Sequence, residues 1–188
     1  MVKNSDHDSK KKKVDLSRRN FLMGFRRLQK QEPEEEQAPQ ASLDETYALL
    51  REANLAFRDQ EYEKARELYK EFLMEEPRNA DARLRLGRCL YVAGKFIQAK
   101  VEFERVLRER RDDKQAMLHL GLALARLNKP GKAAVIWQMY FDPEAIPVQR
   151  EINVQLAFLE SDDADAPDGQ SMADAVEAAM EEWRRQQG

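Results

Sequence analysis

The side chains of this sequence that could take part in catalysis are few and scattered. Cys89 is the single cysteine, and His7 and His119 are the two histidines. A thiol and an imidazole form a nucleophile–base pair when they lie within hydrogen-bond distance of each other. Cys89, however, lies beside Leu86 and Leu90 in an apolar helical pattern that is typical of a small packing residue. No nucleophile motif surrounds either group, so we predict a protein that is not an enzyme.

A group of acidic residues near the C-terminus is the candidate for a metal site. Asp163, Asp165 and Asp168 precede Gly169, an arrangement similar to a calcium-binding loop. The D-x-D-x-D-G spacing is broken by one residue, which favours a solvated acidic linker. The sequence has no phosphate-binding glycine loop and no cluster with zinc-ligand spacing. We therefore expect no metal, no cofactor and no nucleic-acid partner.

Charge is distributed unevenly along the 188 residues. The net charge is −3, yet residues 1–31 hold ten Lys and Arg against three Asp and so carry +7. A basic segment attached to an acidic body indicates contact with an anionic surface or an acidic partner. The single cysteine excludes an internal disulfide framework and fits a reducing compartment. No apolar run reaches the ~18 residues of a membrane span, so we expect a cytoplasmic protein, or one peripheral to the inner face of the membrane.

The N-terminal arm, residues 1–42, combines a basic segment with an acidic linker. Residues 1–13 are strongly charged and are predicted to be disordered. Apolar residues then recur at helical spacing among arginines, which is typical of a basic amphipathic helix that binds an anionic membrane or a partner groove. The residues predicted to make this contact are Arg18, Arg19, Phe21, Leu22, Phe25, Arg26 and Arg27.

Residues 17–22, SRRNFL, resemble the twin-arginine export signal of bacteria, S-R-R-x-F-L. An export signal continues into an apolar region of about 7–15 residues, whereas here FLMGF is followed at once by Arg26 and Arg27. We therefore expect no export by this segment. Three explanations of the string then remain: a basic arm that matches the signal by chance, a remnant of an export signal, or a copy of the signal that is bound by a partner recognising such signals.

The elements that must position these groups repeat every 34 residues. Small residues recur at two fixed places and an aromatic residue at a third: Ala53, Gly87 and Gly121; Ala65, Ala99 and Ala133; Tyr69, Phe103 and Trp137. The units cover residues 46–79, 80–113 and 114 onwards. Small residues at fixed places let paired helices approach closely. The period predicts an all-α fold, a short α-solenoid of three helix–turn–helix repeats.

Two further segments complete the predicted organisation. Pro147 opens a capping helix over residues 147–161, which ends the domain of residues 43–161. Pro130 is expected near the first turn of the last repeat helix. Residues 162–188 form an acidic linker and an amphipathic helix, with Ser171 and Asp174 as a capping box. Its apolar stripe either packs on the repeats or is offered to a partner; the stripe is Met172, Val176, Met180 and Trp183.

The second unit carries the clearest family signature. The chain resembles the tetratricopeptide repeat family over about residues 45–141, on Leu86-Gly87, Tyr91, Gly94, Phe96, Ala99, Phe103 and Leu107. The resemblance implies a concave surface lined by the first helix of each unit. The lining residues it implies are Tyr47, Leu50, Asn54, Phe57 and Arg58, then Asp81, Leu84, Arg88, Tyr91 and Val92, and then Gln115, Leu118, Leu122, Ala125 and Arg126.

Such a surface suits an extended or helical partner segment that is apolar with acidic groups, since Arg holds carboxylates bidentately. Some family members clamp a C-terminal carboxylate with a Lys/Asn/Lys/Arg set. Asn54 matches one clamp position, but Leu50, Arg85, Gln115 and His119 do not reproduce the others, so we do not expect this clamp. The N-terminal arm or the C-terminal helix is an alternative occupant of the surface.

The sequence therefore predicts a non-catalytic adaptor or scaffold that binds a partner segment in the groove, with a use in assembling a membrane-associated complex. The alternative is a chaperone or targeting factor for exported, twin-arginine redox proteins. A third interpretation is an exported protein, which would have a cleaved N-terminus.

Overall fold

The computed structural model of this chain describes residues 38–161 and 167–187, with side chains from residue 44 onwards. The chain divides into two units, Met1–Ala41 and Ser42–Gly188. Most of the first unit, including every predicted residue of the basic arm, lies outside the described residues. The described part of the second unit contains helices and no strands, which confirms the all-α prediction.

The helices of the described residues follow one another with short connections. Their bounds are α1 (Ala38–Arg58), α2 (Tyr62–Glu75), α3 (Ala80–Val92), α4 (Phe96–Glu109), α5 (Lys114–Arg126), α6 (Pro130–Trp137), α7 (Ile146–Glu160) and α8 (Gly169–Gln187). From α2 to α7 each helix packs against the next one in the chain. This order of contacts is that of a solenoid of helix pairs, as the 34-residue period predicts.

The glycines of the period allow the close approach of paired helices. A Cβ on Gly87 would lie 2.5 Å from Cε1 of Phe103, and one on Gly121 would collide with the Trp137 indole. Phe103 and Trp137 are almost fully buried. Because no Cβ fits between these helices, the small residue and the aromatic residue at fixed places are a matched pair.

The helix ends follow the same period. Asn79 and Asp113 each accept a hydrogen bond of 2.9 Å from the amide three residues later, which caps α3 and α5. Gln60, Gly94 and Asn128 follow α1, α3 and α5, and all three have a positive φ. The left-handed backbone at this position turns the chain back into the second helix of each pair.

The third repeat is shorter than the other two. Its second helix, α6, has 8 residues, against 14 in α2 and α4, and Pro130 lies in its first turn as predicted. The capping helix α7 likewise has Pro147 in its first turn. Val148 and Ile152 of α7 are buried in the core.

The C-terminal helix α8 begins earlier than the sequence indicates. The capping box of Ser171 and Asp174 is wrong, because the Ser171 amide donates a 2.8 Å hydrogen bond to the Asp168 carboxylate and the helix starts at Gly169. A Cβ on Gly169 would collide with the carbonyl oxygen of Ala125 in α5. The start of α8 is therefore in direct contact with the end of α5.

The apolar stripe of α8 packs on the repeats rather than facing solvent. The helix contacts α5 and α7, with Met172 and Val176 at 0% exposure in the same core as the repeat helices. Met180 and Trp183 are partly buried against this core. Of the two alternatives left open for the stripe, the structure therefore shows packing on the repeats.

Candidate binding groove

The residues predicted to line the groove lie on α1, α3 and α5, the first helices of the three pairs. Those on α1 and α3 are mostly exposed or half-buried: Tyr47, Leu50, Asn54, Phe57, Arg58, Leu84, Arg88 and Tyr91. On α5, Leu118 and Leu122 are buried, with 3% and 1% exposure. We call the α1 and α3 part without Tyr91 the open groove, and Tyr91 together with the α5 part the covered groove.

The open groove contains a cavity of about 510 Å³ between α1 and α3. Its lining is made of apolar and basic side chains and one amide: Arg51, Asn54, Leu55, Phe57, Arg58 and Arg85. Leu55 is 48% exposed and Tyr47, further along α1, is 49% exposed. This part of the surface can bury apolar groups of a partner beside positive charge.

Asn54 is held in place by two neighbours. Its Oδ1 accepts a 2.8 Å hydrogen bond from the Tyr69 hydroxyl and a further one from Arg85. Burial is the main cause that raises the pKa of Tyr69, although Arg85 opposes it. The amide of Asn54 is thus oriented by α2 and α3, which leaves a fixed polar group on the floor of the open groove.

Arg88 lies in the middle of the groove and lines a cavity that Glu177 and Glu181 of α8 also line. Its guanidinium lies over the Phe57 ring, 5.0 Å from the ring centroid. None of the ion pairs within the described residues involves Arg88. Burial lowers the pKa of Arg88, and the charge of Arg184 on α8 lowers it further. A half-buried charge in this state is stabilised by an anion that comes from elsewhere.

Arg126, in the covered groove, differs from Arg88 in that it is paired with acidic side chains. Its Nη2 lies 2.7 Å from carboxylate oxygens of both Asp174 and Glu177 of α8. The Tyr91 hydroxyl also donates to Glu177 and accepts from Arg126 Nε at 3.3 Å. Burial opposes the charge of Arg126, but the hydrogen bonds to Tyr91, Glu177 and Asp174 together raise its pKa. Arg126 and Tyr91 are therefore occupied by the chain's own C-terminal helix.

The cysteine and the imidazole are both packed in the core. Cys89 is 1% exposed, and burial raises the pKa of its thiol to about 12. His119 is 5% exposed, its Nδ1 lies 2.8 Å from the Gln115 carbonyl oxygen, and burial lowers its pKa to about 4. A protonated thiol and a neutral, inaccessible imidazole are the reverse of what an activated nucleophile needs.

The structure adds groove residues that the sequence reasoning missed. Arg51, Leu55 and Arg85 line the open groove, and Arg184 of α8 lines cavities beside Arg88. Arg51 and Arg85 directly follow predicted lining residues on their helices, which was an available signal. No comparable signal points to Arg184, because its position depends on where α8 packs. Within the described residues, no group of His, Cys, Asp and Glu could hold a metal ion.

None of the helices in the described part of the chain combines the length and the apolar composition that a membrane span needs. The predicted arm residues, from Arg18 to Arg27, and the Asp163 and Asp165 carboxylates lie outside that part. Their membrane, partner and linker assignments stay predictions.

Comparison with known proteins identifies the repeat. Residues 56–127 match the family model described as tetratricopeptide repeat. The structure of the first TPR of Spaghetti (RPAP3), bound to the HSP90 peptide SRMEEVD, has a TM-score of 0.52 and 20% identity, and the match covers 60% of this chain and 95% of that one. The Arabidopsis OM64 TPR domain gives 0.49 and 17%, covering 76% and 96%. The TPR2B domain of yeast Sti1, in a complex with pHsp70, gives 0.48 and 12%, covering 73% and 97%.

The likeness to the Spaghetti domain concerns the fold, since the identity is low. No curated protein matches this chain in sequence.

Proposed function

Because residues 56–127 of this chain are tetratricopeptide repeats, we propose that the protein is a non-catalytic adaptor that holds a segment of a partner protein. The segment binds in the open groove, on α1 and α3. It is apolar and carries acidic groups, and it is either extended or helical. The fold alone hosts many partners, so the proposal rests on the chemistry of this surface.

The observation that carries the proposal is the way α8 occupies the covered groove. This helix buries Met172 and Val176 and places Asp174 and Glu177 on Arg126. An apolar, acidic helix is thus accommodated on the surface of α5. The neighbouring surface between α1 and α3 has the same kind of lining and is open, and Arg88 beside it makes no ion pair within the described residues. A partner segment of the same chemistry would complete it.

The solved relative with the HSP90 peptide supports a peptide as the type of partner. Its peptide, SRMEEVD, carries three acidic residues. In this chain Arg85 bonds to Asn54, the one residue that matches a position of the carboxylate clamp. Leu50, Gln115 and His119 stand at other clamp positions, so a different acidic sequence is expected here.

Affinity capture with matched variants tests the adaptor function. Arg88→Ala removes the half-buried guanidinium of the groove, and Arg108→Ala removes an exposed arginine of α4 as the control. We expect a major partner that the wild type and the Arg108→Ala protein retain and the Arg88→Ala protein loses. Identical sets of captured proteins from all three would refute binding in the open groove.

For the basic arm we propose contact with an anionic membrane, which would place the adaptor at the inner face of the membrane during assembly of a complex there. The support is the sequence, where Arg18, Arg19, Arg26 and Arg27 alternate with Phe21, Leu22 and Phe25. Deletion of residues 1–31 should abolish co-sedimentation with vesicles that contain phosphatidylserine. Equal co-sedimentation of the full and the shortened chain would remove the arm from this function.

A second candidate function follows from the string SRRNFL, namely a chaperone or targeting factor for exported redox proteins. Replacing Arg18 and Arg19 by lysine keeps the charge but removes the twin-arginine pattern. This function predicts loss of partner recognition with membrane binding nearly unchanged. A cleaved N-terminus on the mature protein would instead favour the third interpretation, an exported protein.

A further inference from the structure

We propose that the cavity between the groove and α8 is a binding pocket for a carboxylate carried on an apolar group, with Arg88 of the second repeat and Arg184 of the C-terminal helix as its two cationic donors. The inference rests on the proposed function in one respect: a bound partner segment is the expected source of the carboxylate. The C-terminal helix is then a wall of the binding site as well as a cap of the fold.

The charged groups that line this cavity are of one sign. It has a volume of about 430 Å³ and lies between α3, α5, α7 and α8. Arg88 and Arg184 line it, no acidic side chain of the described residues does, and its further side chains that can donate include the amides of Gln115 and Gln187 and the Tyr140 hydroxyl. Two guanidinium groups, further neutral donors and no carboxylate make an environment that attracts an anion.

Arg88 and Arg184 repel each other across the cavity. The charge of Arg184 contributes to the lowered pKa of Arg88, after burial as the main cause. The ion pairs of the described residues include neither guanidinium, whereas Arg126 on the other side of α8 has two carboxylates at 2.7 Å. An anion between Arg88 and Arg184 would relieve the repulsion and compensate the burial of Arg88.

The rest of the cavity wall sets the class of ligand. Leu118, Val148 and Met180 line it on three different helices. His119, also in the wall, is neutral because its pKa lies at about 4, so it adds no positive charge at neutral pH. A phosphate dianion would leave more charge to desolvate against these apolar groups than a carboxylate does. A carboxylate attached to an apolar group matches both the arginines and the apolar side chains that line the cavity.

The indole of Trp183 adds a donor next to the cavity. Its Nε1 is buried and has no hydrogen-bond partner in the described part of the chain, while the ring itself lines the cavity. Because a buried N–H without an acceptor is unfavourable, a carboxylate drawn towards the ring would gain a third partner. The fluorescence of Trp183 therefore offers a readout of occupancy.

The test uses the full chain, with hexanoate as an apolar carboxylate, hexanamide as its neutral counterpart and inorganic phosphate as the competing anion. The variants are Arg88→Gln, Arg184→Gln and, as the matched control, Arg185→Gln, since Arg185 is the neighbouring arginine on α8 and does not line the cavity. Calorimetry and Trp fluorescence give the affinities, and thermal unfolding checks that each variant is folded.

We expect hexanoate to bind and hexanamide to bind at least 10-fold more weakly. Arg88→Gln and Arg184→Gln should each lower the affinity for hexanoate by about 10-fold or more, as loss of a charge-assisted hydrogen bond does. Arg185→Gln should change the affinity less than about 2-fold, as expected for an exposed surface charge. Equal affinities across the three variants would overturn the pocket. Tighter binding of phosphate than of hexanoate would overturn the carboxylate class.

Two further outcomes separate this inference from the adaptor function. If Arg88→Ala loses its captured partner while Arg184→Gln leaves hexanoate affinity unchanged, the pocket is refuted and the adaptor function stands. If hexanoate binding depends on both arginines but Arg88→Ala loses no partner, the pocket stands for a free small carboxylic acid and binding of a partner in the open groove is refuted. Release of a captured partner by hexanoate would assign the carboxylate to the partner segment.

Discussion

Replacing Met172 by alanine tests whether α8 is an integral part of the fold. Met172 has 0% exposure and belongs to the core that also contains repeat residues of α5. Truncation of a fully buried methionine to alanine lowers the free energy of unfolding by about 2–5 kcal/mol, because apolar contacts are lost and a cavity is left. We expect a value near the middle of this range, since Val176 packs with Met172 in the same stripe and limits how far the site can collapse.

Met74 provides the matched control for this experiment. It lies on α2 and is 73% exposed, so Met74→Ala should change the free energy of unfolding by less than about 0.5 kcal/mol. Urea denaturation of both variants is followed by far-UV circular dichroism, which reports all helices. Trp fluorescence adds a local probe, because Trp183 lies on α8 and Trp137 on α6.

Coincident transitions by the two probes in Met172→Ala, both shifted to lower urea, would show that α8 unfolds with the repeats. A free energy of unfolding equal to that of Met74→Ala would refute the packing argument. An early fluorescence transition with an unshifted circular dichroism transition would also refute it, because α8 would then detach without the rest of the domain.

Three other results are expected. Gly121→Ala forces a methyl group into the Trp137 indole and should lower the free energy of unfolding by about 1–3 kcal/mol. Gly131→Ala in α6, where nothing lies within 4 Å of the added Cβ, should raise it by up to about 1 kcal/mol. Thermal unfolding compares the two variants, and equal effects would contradict the close approach of the paired helices at Gly121. His119 has a folded pKa of about 4, below its usual value in the unfolded chain, so the protein should lose up to about 3 kcal/mol of stability as the pH falls from about 6.5 to 4. His119→Gln should lack that part of the pH dependence in urea titrations, and an unchanged slope would contradict it. The buried thiol of Cys89, with its pKa raised to about 12, should react with a thiol reagent at the rate of unfolding, and rapid labelling of the native protein would show that it is accessible.

The sequence was sufficient for the parts of the fold that repeat. Gly87 and Phe103 meet as their spacing predicts, and Gly121 and Trp137 do the same one period later. The glycine and the aromatic residue that meet within a unit are about 16 positions apart in the sequence. The residue pattern of a single unit is therefore enough to predict their contact, and its recurrence in the next unit supports the prediction. The proline at the start of α6 was predictable for the same reason, since it acts on local backbone geometry.

The position of α8 was not predictable to the same extent. Its apolar stripe indicated a buried face, but the choice of surface depends on contacts such as Arg126 with Glu177, which are 51 residues apart and lie outside the period. Its start was also predicted wrongly. Ser171 and Asp168 are both able to cap a helix, and the contact of Gly169 with the Ala125 carbonyl, a tertiary feature, accompanies the earlier start.

The location of α8 changes which arginine of the groove can bind a partner. From the sequence, Arg88 and Arg126 are both predicted lining residues, on successive first helices. In the structure Arg126 is neutralised by Asp174 and Glu177, and an incoming carboxylate would have to displace a helix whose Met172 and Val176 are fully buried. Arg88 needs no such displacement, since its guanidinium contacts an aromatic ring and no acid of the described residues. On the proposed function, recognition of an acidic group would therefore centre on α3, while the third repeat contributes mainly the surface on which the C-terminal helix is held.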